Sequence, residues 1–504
     1  MFRPRVVRWA VAAAVAGLVA GVGAWETVSA GPVAAEGLDR FTRQQLDWRA
    51  CDEEQLDRAG ARCADVTVPL NYAEPQGRTI TVAISRIPAA DAAHRRGIML
   101  SNPGGPGGSG LGFALNLGQG LPSYPWQQYD LIGMDPRGVG RSSRIDCRWP
   151  VGTYGQSAGI DDAGFAESVA TQADLAARCQ AAAGDRLPHI TTRNTARDMD
   201  LIRAVLGEDR ISYFGLSYGT YLGAVFTQMF PQRADRVVLD SAVDPAQWAI
   251  GTFRDMGPAD EAALDAWADW AADRDSEYHL GTTRSAVRAV VTDLIATAAR
   301  QPIRIGAYDL DEHWLPTVVF DNVTDPRGFD VLAAMVRQLA DAAAGVAVRP
   351  SPELEAELSH LLAATPSSEF DDAGAAVRCG DVAEPRDPSW YRSAIDSARA
   401  TQPIFGPLAN NISPCAFWPA PVEAPTAVRN STPALILQAT GDPLTAYRQG
   451  VGLHRALTES RLVTLRDVIV HGVVTIDSAC VRQTVDAYLR EGTLPAADLT
   501  CRAD

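Results

Sequence analysis

Short, uninterrupted runs of apolar residues recur along the chain, with turn-forming residues between them. They cover residues 80–86, 97–101, 129–135, 211–215, 236–240, 434–439 and 461–465. Runs of this length without polar alternation are typical of strands covered on both faces, as in a parallel sheet. Amphipathic stretches separate several of them, such as residues 195–206, for which Asn194 is the expected N-cap. Strands that alternate with helices predict an α/β fold with a mostly parallel central sheet.

The pattern changes over residues 246–427, where helical periodicity replaces the strand-like runs. Amphipathic helices are predicted there over residues 258–272, 285–300, 328–344, 352–364 and 390–400. We interpret this segment as a helical cap inserted into the core. The core then comprises residues 36–245 and 428–504.

The first 35 residues differ in character from the rest. Arginines near the start precede an apolar segment over residues 9–24, and small residues follow at 28–30 and 33–35. This order is typical of a signal peptide. The apolar segment is shorter than the roughly 20 residues that a membrane helix needs, although an uncleaved anchor is the alternative. We predict a signal peptide over residues 1–35 and a secreted or cell-envelope-associated protein, without stable membrane insertion after signal removal.

Composition narrows the classes of function. The chain has 504 residues, 46% of them hydrophobic, and a formal net charge of −16. An acidic surface disfavours nucleic acid and anionic membranes as partners. All 45 basic residues are Arg. The absence of Lys excludes Schiff-base chemistry, P-loop lysines and Ser–Lys dyads, and we expect no cofactor.

The eight cysteines fall as neighbours along the chain. An even number of cysteines in an exported protein indicates disulfides. Pairing nearest neighbours joins Cys51 to Cys63, Cys147 to Cys179, Cys379 to Cys415 and Cys480 to Cys501. A zinc site is the alternative, but C-x-x-C spacing is absent and histidines at ligand spacing are missing. We therefore predict local disulfides and no metal.

Residues 215–219 have the sequence G-L-S-Y-G, between the apolar run at 211–214 and a helix-like run at 220–229. A strand, a sharp turn and a helix form the context in which G-x-S-x-G becomes a nucleophile elbow. Ser217 is therefore the predicted nucleophile of a hydrolase. An ordinary serine in a glycine-rich turn is the alternative.

A serine nucleophile needs an imidazole as base and a carboxylate that orients the imidazole. In α/β-hydrolases these residues follow the serine in the order acid, then histidine. Of the histidines after the predicted cap, His454 lies in a helical run, whereas His471 lies in a loop beyond a strand. Asp442 directly follows the run at 434–439 and is the predicted acid, with Asp467 as the alternative. Tyr218, the residue after the nucleophile, should donate its N–H to an oxyanion.

A glycine-rich loop over residues 102–110 follows the early strand at 97–101. Its P-G-G-P-G segment resembles the HGGPG motif of proline iminopeptidases, with Pro103 in place of the histidine. Residues 135–142, D-P-R-G-V-G-R-S, resemble the D-x-R-G-x-G-x-S segment of the same relatives. With these two segments and the serine motif, the chain is similar to the exported tripeptidyl aminopeptidases of actinobacteria. These are α/β-hydrolases of the proline iminopeptidase superfamily. The resemblance implies Gly105, or else Gly104, as the second oxyanion donor.

The same resemblance implies that peptide or protein N-termini are the substrates and that short peptides, tripeptides above all, are the products. A carboxylate must then hold the free amine roughly 10 Å from Ser217, since an extended residue spans at most about 3.6 Å. We expect the cap region to supply it. The candidates are Asp381, Asp244 and Glu261, with Asp255 and Asp260 as further choices. An esterase on the same fold is the alternative function, and a non-catalytic binding module is a more distant one.

Overall fold

The computed structural model describes residues 37–120, 126–363 and 369–504, so the predicted signal peptide over 1–35 lies outside the described residues. Its strands are β1 (Arg62–Pro69), β2 (Thr79–Ile87), β3 (Gly97–Asn102), β4 (Tyr129–Met134), β5 (Ile211–Leu216), β6 (Ala234–Asp240), β7 (Ile303–Ile305), β8 (Tyr308–Leu310), β9 (Leu435–Ala439), β10 (Arg461–Leu465) and β11 (Leu499–Cys501). Within those described ranges, nine of the strands form one sheet in the order β1-β2-β4-β3-β5-β6-β9-β10-β11. The strands β7 and β8 form a separate hairpin.

The sheet is antiparallel only at one edge, where β2 pairs with β1 and β4. From β4 to β11 all neighbouring strands are parallel. In a parallel sheet the carboxyl ends of the strands meet at one edge. The loops after β3, β5, β6, β9 and β10 therefore come together there, and these are the loops that carry the predicted site.

The helices lie on both faces of the sheet and in the segment between β6 and β9. They are α1 (Asp39–Thr42), α2 (Glu54–Arg58), α3 (Phe113–Gly120), α4 (Asp162–Ala183), α5 (Thr192–Val205), α6 (Tyr218–Met229), α7 (Ile250–Ala272), α8 (Asp275–Tyr278), α9 (Arg284–Arg300), α10 (Leu315–Val323), α11 (Phe329–Ala343), α12 (Pro352–Leu362), α13 (Glu369–Asp381), α14 (Pro388–Arg399), α15 (Gly406–Ala409), α16 (Tyr447–Ala456) and α17 (Ala479–Glu491). Successive strand residues alternate between two apolar clusters, as Tyr213 and Phe214 do. Burial on both faces explains why these strands lack polar alternation.

Most helices of the segment between β6 and β9 share an apolar core of their own, whereas α13 packs in the apolar cluster of the sheet. The buried members of the separate core include Trp267 on α7, Val319 on α10 and Leu332 on α11. The predicted cap boundaries at 246 and 427 both fall outside helices and strands. A separate core is what an inserted helical cap requires.

Several element boundaries differ from the sequence prediction for identifiable reasons. Thr191 caps α5, because its hydroxyl accepts the Asn194 N–H over 3.2 Å, so Asn194 lies inside the helix. The helix α7 begins at Ile250 and continues through Pro258. The prediction had placed the start of this helix at that proline, since proline is favoured in a first turn.

Disulfides join the same neighbouring cysteines that the sequence pairs. The bonds are Cys51–Cys63, Cys147–Cys179, Cys379–Cys415 and Cys480–Cys501. The third bond ties α13 to the segment that leads back to the core sheet. It therefore restrains α13, which reaches the cavity described below.

Candidate active site

Ser217 lies at a sharp turn between β5 and α6. Its backbone has φ 58° and ψ −126°, a positive-φ conformation that is strained for a residue with a side chain. The turn is held because the Ser217 N–H donates to the Asp240 carbonyl oxygen over 2.9 Å. A methyl group on Gly219 would lie 2.6 Å from the Asn102 carbonyl oxygen, so a larger residue does not fit there. This geometry is that of a nucleophile elbow, which presents the serine at the end of its strand.

His471 and Asp442 follow β10 and β9 at the same edge of the sheet. His471 Nδ1 lies 3.0 Å from Asp442 Oδ1 and 3.2 Å from Oδ2. The carboxylate also accepts the Thr445 hydroxyl over 2.8 Å and the Leu444 N–H over 3.0 Å. The Asp442 side chain is fully buried, and that of His471 is 15% exposed. Asp442 is thus fixed by several donors and can orient the imidazole.

Two carboxylates act on the protonation of His471. Burial lowers the pKa of His471, but the charge and hydrogen bond of Asp442 and the charge of Asp240 outweigh burial and raise the pKa above 6.5. The imidazolium that forms when His471 accepts a proton is therefore stabilised. Because Nδ1 faces Asp442, Nε2 is the nitrogen that remains for proton transfer.

The glycine-rich loop after β3 passes directly beside the serine. A methyl group on Gly104 would lie 2.8 Å from Ser217 Cβ, which requires glycine at this position. The Gly104 N–H donates to Asn102 Oδ1 over 3.0 Å and is already occupied. Within the part of the chain that the structure describes, the N–H groups of Gly105 and Tyr218 donate no hydrogen bond. Of the two glycines that the sequence left open, Gly105 is therefore the one with a free donor.

Arg378, on α13, contacts this loop, and the sequence analysis did not identify it. Its guanidinium donates to the Gly105 carbonyl oxygen over 3.1 Å and lies 4.3 Å from the centre of the Phe253 ring. Burial lowers the pKa of Arg378 to about 10, against the opposing charge of Glu384. The helix that carries Arg378, α13, is not among the helices that the sequence predicts, and its two glycines are poor helix formers.

Ser217 and His471 line a cavity of about 430 Å³. A volume in this range suits a small molecule or a short peptide segment. Both the core and the cap contribute to it. Its apolar wall includes Ile250, Phe253, Met256, Phe320 and Leu444.

Carboxylate side chains also line this cavity, namely those of Asp260, Asp321, Asp371 and Glu384. Burial raises the pKa of Asp260 well above its usual value, and the charge of Asp442 raises it further. Burial raises the pKa of Asp371 to about 7, against the opposing hydrogen bond from Thr153. Among the described residues, Asp260 Oδ1 accepts no hydrogen bond. The cavity therefore offers a buried, unpaired acceptor to a cationic group.

Comparison with known proteins places this geometry in a family. A family model described as "TAP-like protein" matches residues 402–501, and one described as "alpha/beta hydrolase fold" matches residues 97–289. The tripeptidyl aminopeptidase of Streptomyces lividans is 35% identical over 501 residues, which cover 95% of this chain and 90% of that relative. The chain belongs to the tripeptidyl aminopeptidase family.

Two further relatives of this chain come from Mycobacterium tuberculosis. Serine protease Hip1 is 29% identical, with 91% of each chain covered. Carboxylesterase B is 30% identical, with 91% of this chain and 90% of the relative covered. The protein is an α/β-hydrolase peptidase, and its family implies peptide substrates.

Two further features of this peptidase bear on membranes and metals. Along the described ranges, no helix has both the length and the apolar content that a membrane crossing requires. In the same ranges, no three ligand-type side chains lie together as a metal site needs.

The three carboxylates that the sequence favoured for the substrate amine do not line the active-site cavity of the peptidase. Asp381 is occupied by hydrogen bonds, including one of 3.0 Å from the Trp248 indole. Glu261 accepts two backbone N–H groups just before α15 and pairs with Arg288. Asp244 lines a separate pocket. Whether a carboxylate is available to the substrate amine depends on the partners with which it is buried in the folded protein. The order of residues along the chain does not show these partners.

Proposed function

We propose that this peptidase is an exported enzyme that uses Ser217 to release short peptides, and tripeptides in particular, from free N-termini. The observation that carries the proposal is one cavity lined by Ser217, His471 and the unpaired carboxylate of Asp260. An activated serine supplies acyl transfer, and a buried carboxylate supplies a partner for an ammonium group. The similarity to a tripeptidyl aminopeptidase supports the same class of substrate.

The proposed reaction follows from the positions of the side chains. Ser217 Oγ attacks the carbonyl carbon of the scissile peptide as His471 Nε2 takes its proton. The N–H groups of Tyr218 and Gly105 stabilise the resulting oxyanion. His471 then returns the proton to the leaving amine, which leaves an ester on Ser217. Water, activated by the same imidazole, hydrolyses that ester and releases the N-terminal peptide.

Asp260 is the proposed partner of the substrate amine. It lies on α7, in the segment that we interpret as a cap, and the charge of Asp442, the proposed acid, acts on it. Burial and the charge of Asp442 raise the pKa of Asp260 well above its usual value, which favours its protonated form in the empty cavity. An arriving ammonium group favours the ionised form. Binding of a free-amine peptide should therefore release a proton to the solvent.

We expect Asp260→Asn to weaken the reaction of free-amine substrates selectively. Loss of a buried charge-assisted contact predicts a rise in KM of roughly 10- to 100-fold for a tripeptidyl amide reporter with a free N-terminus. The variant should cleave the acetylated reporter as poorly as the unaltered enzyme does. Asp265→Asn is the matched control, since Asp265 lies on the same helix and pairs with Arg288 outside the cavity. Equal KM values for Asp260→Asn and the unaltered enzyme would exclude Asp260 as the amine partner.

An esterase is the second candidate, and the similarity to carboxylesterase B favours it. The same reporters separate the two functions. A short-chain acyl ester turned over faster than any peptide, with no effect of acetylation on peptides, would identify an esterase. Turnover of only the free-amine peptide would support the aminopeptidase.

Export is supported by the disulfides, which persist in oxidising compartments, and by the sequence of residues 1–35. When a bacterial host expresses the full chain, we expect active enzyme in the medium or the cell-envelope fraction, cleaved within or just after residues 28–36. The exported enzyme should show no titratable thiol before reduction. Reduction should lower its Tm, since one native disulfide contributes typically about 2–4 kcal/mol.

Deletion of residues 1–35 provides the control for export. The shortened chain should remain inside the cell and contain free thiols. Full-length enzyme that accumulates inside the cell with an intact N-terminus would contradict the proposal.

A further inference from the structure

Asp240 is a buried carboxylate that neither the triad nor the oxyanion hole uses. It is the last residue of β6, the strand beside the nucleophile strand β5. Its backbone carbonyl oxygen accepts the Ser217 N–H over 2.9 Å. Asp240 is thus attached to the nucleophile turn through its main chain.

The side chain of Asp240 is attached to the loop of the catalytic base. Its Oδ1 accepts the Val473 N–H over 2.8 Å, and its Oδ2 accepts the Val474 N–H over 3.0 Å. The next residue, Ser241, accepts the Gly472 N–H through its hydroxyl over 2.7 Å. Three consecutive N–H groups after His471 are therefore bound by two adjacent residues of one strand end.

We propose that Asp240 is a positioning residue that fixes the His471 loop relative to Ser217 and adds a second negative charge beside the base. Asp442 orients the imidazole ring, whereas Asp240 sets the backbone from which the ring projects. This inference rests on the proposed roles of Ser217 and His471. It assigns a function to a residue that the serine motif, the oxyanion loop and the acid–base pair leave unused.

A carboxylate with a purely structural role would not need to be charged. The charge of Asp240 is therefore the property that indicates an effect on the base. Burial raises the pKa of Asp240 to about 6, against the opposing hydrogen bonds from Val474, Val473 and Ser241 and the charge of His471. Asp240 is therefore ionised at pH 7–8, where a hydrolase of this kind needs a neutral base. Among the described residues, the carboxylates that act on His471 are Asp442 and Asp240. Both favour the imidazolium that forms as Ser217 attacks.

Asp240→Asn tests the positioning and the charge together. The amide keeps the shape of the side chain, but one acceptor becomes a donor that faces a backbone N–H. We expect kcat to fall roughly 10- to 100-fold with little change in KM, since an unpaired buried donor displaces the His471 loop. Loss of a negative charge beside His471 lowers the pKa of the base. The acid limb of the kcat/KM profile should therefore move to lower pH, by roughly 0.5 to 1.

Two further variants separate the contributions. Ser241→Ala keeps the Asp240 carboxylate but removes the hydrogen bonds to the Gly472 N–H and to Asp240 Oδ1, so kcat should fall several-fold while the acid limb moves less than in Asp240→Asn. Asp235→Asn is the matched control, because Asp235 lies at the other end of β6 and pairs with Arg236. Its kcat and pH profile should equal those of the unaltered enzyme.

The outcomes distinguish this inference from the proposed function. An unaltered kcat and acid limb in Asp240→Asn, with Ser217→Ala inactive, would overturn the role of Asp240 and leave the catalytic serine in place. Turnover that persists in a folded Ser217→Ala variant would instead overturn the proposed site. If Asp240→Asn does not fold, Ser241→Ala decides, and an unaltered kcat in that variant overturns the inference.

Discussion

Ser217→Ala should lower kcat by roughly 10⁴- to 10⁶-fold, the loss typical of removing the nucleophile from a serine triad. The variant lacks the oxygen that attacks the substrate, while the oxyanion donors and the cavity remain. KM should change little, because substrate binding does not depend on that oxygen. The Tm should also be nearly unaltered, since alanine at a φ of 58° carries the same backbone strain as serine. Steady-state kinetics with the free-amine tripeptidyl reporter and thermal unfolding check both expectations.

Ser212→Ala is the matched control for the nucleophile. Ser212 lies at the opposite end of the same strand, and its hydroxyl lies 3.4 Å from Asp235 and from the Arg236 N–H, away from the cavity. This variant should retain the unaltered kcat. A Ser217→Ala enzyme that is folded and still active within tenfold of the unaltered enzyme would contradict the assignment of the nucleophile.

The residues at this site that sequence could predict are those marked by local context. Ser217 lies between a strand and a helix, and Asp442 directly follows an apolar run, so each is recognisable within about ten residues of chain. The α/β class follows from the alternation of strands and helices, and the family confirms the α/β-hydrolase fold that the motifs and the resemblance implied. The uninterrupted apolar runs already indicate that these strands are buried on both faces.

The residues that sequence did not identify are those whose role depends on distant contacts. Asp240 ends a strand that was predicted, yet its partners Val473 and Val474 lie more than 230 residues further along the chain. Arg378 reaches Gly105 across 273 residues. Asp260 was named in the sequence analysis only as a further choice for the amine, and its place in the active-site cavity is what distinguishes it from the favoured carboxylates. No local pattern of apolar and polar residues shows which distant residues will be in contact.

The strand β1 was missed for a different reason. Its apolar residues Ala64, Val66 and Val68 alternate with polar ones, as in an antiparallel edge strand, whereas the sequence analysis relied on uninterrupted apolar runs. The short strand β11 depends on pairing with β10, close to the Cys480–Cys501 disulfide. The strand β11 is formed by tertiary contacts more than by intrinsic propensity.

Asp442→Asn should lower kcat by roughly 10⁴-fold, because an amide cannot hold the imidazole in the tautomer that accepts the serine proton. The amide NH₂ group can donate to His471 Nδ1, which then carries no proton, while Nε2 does. The carboxylate also raises the pKa of His471. A raised pKa means that the base is protonated, and inactive, up to a higher pH. Its loss should therefore move the acid limb of the residual kcat/KM to lower pH.

Asp467→Asn is the matched control for the acid, and it tests the alternative that the sequence left open. Asp467 lies in the loop before His471, and its side chain is 65% exposed. Its φ of 62° is one that asparagine tolerates, so the substitution leaves the loop backbone unstrained. We expect the unaltered kcat and pH profile from this variant. A large loss in Asp467→Asn together with an active Asp442→Asn would transfer the role of the acid to Asp467, whereas the 3.0 Å contact between Asp442 and His471 predicts the opposite result.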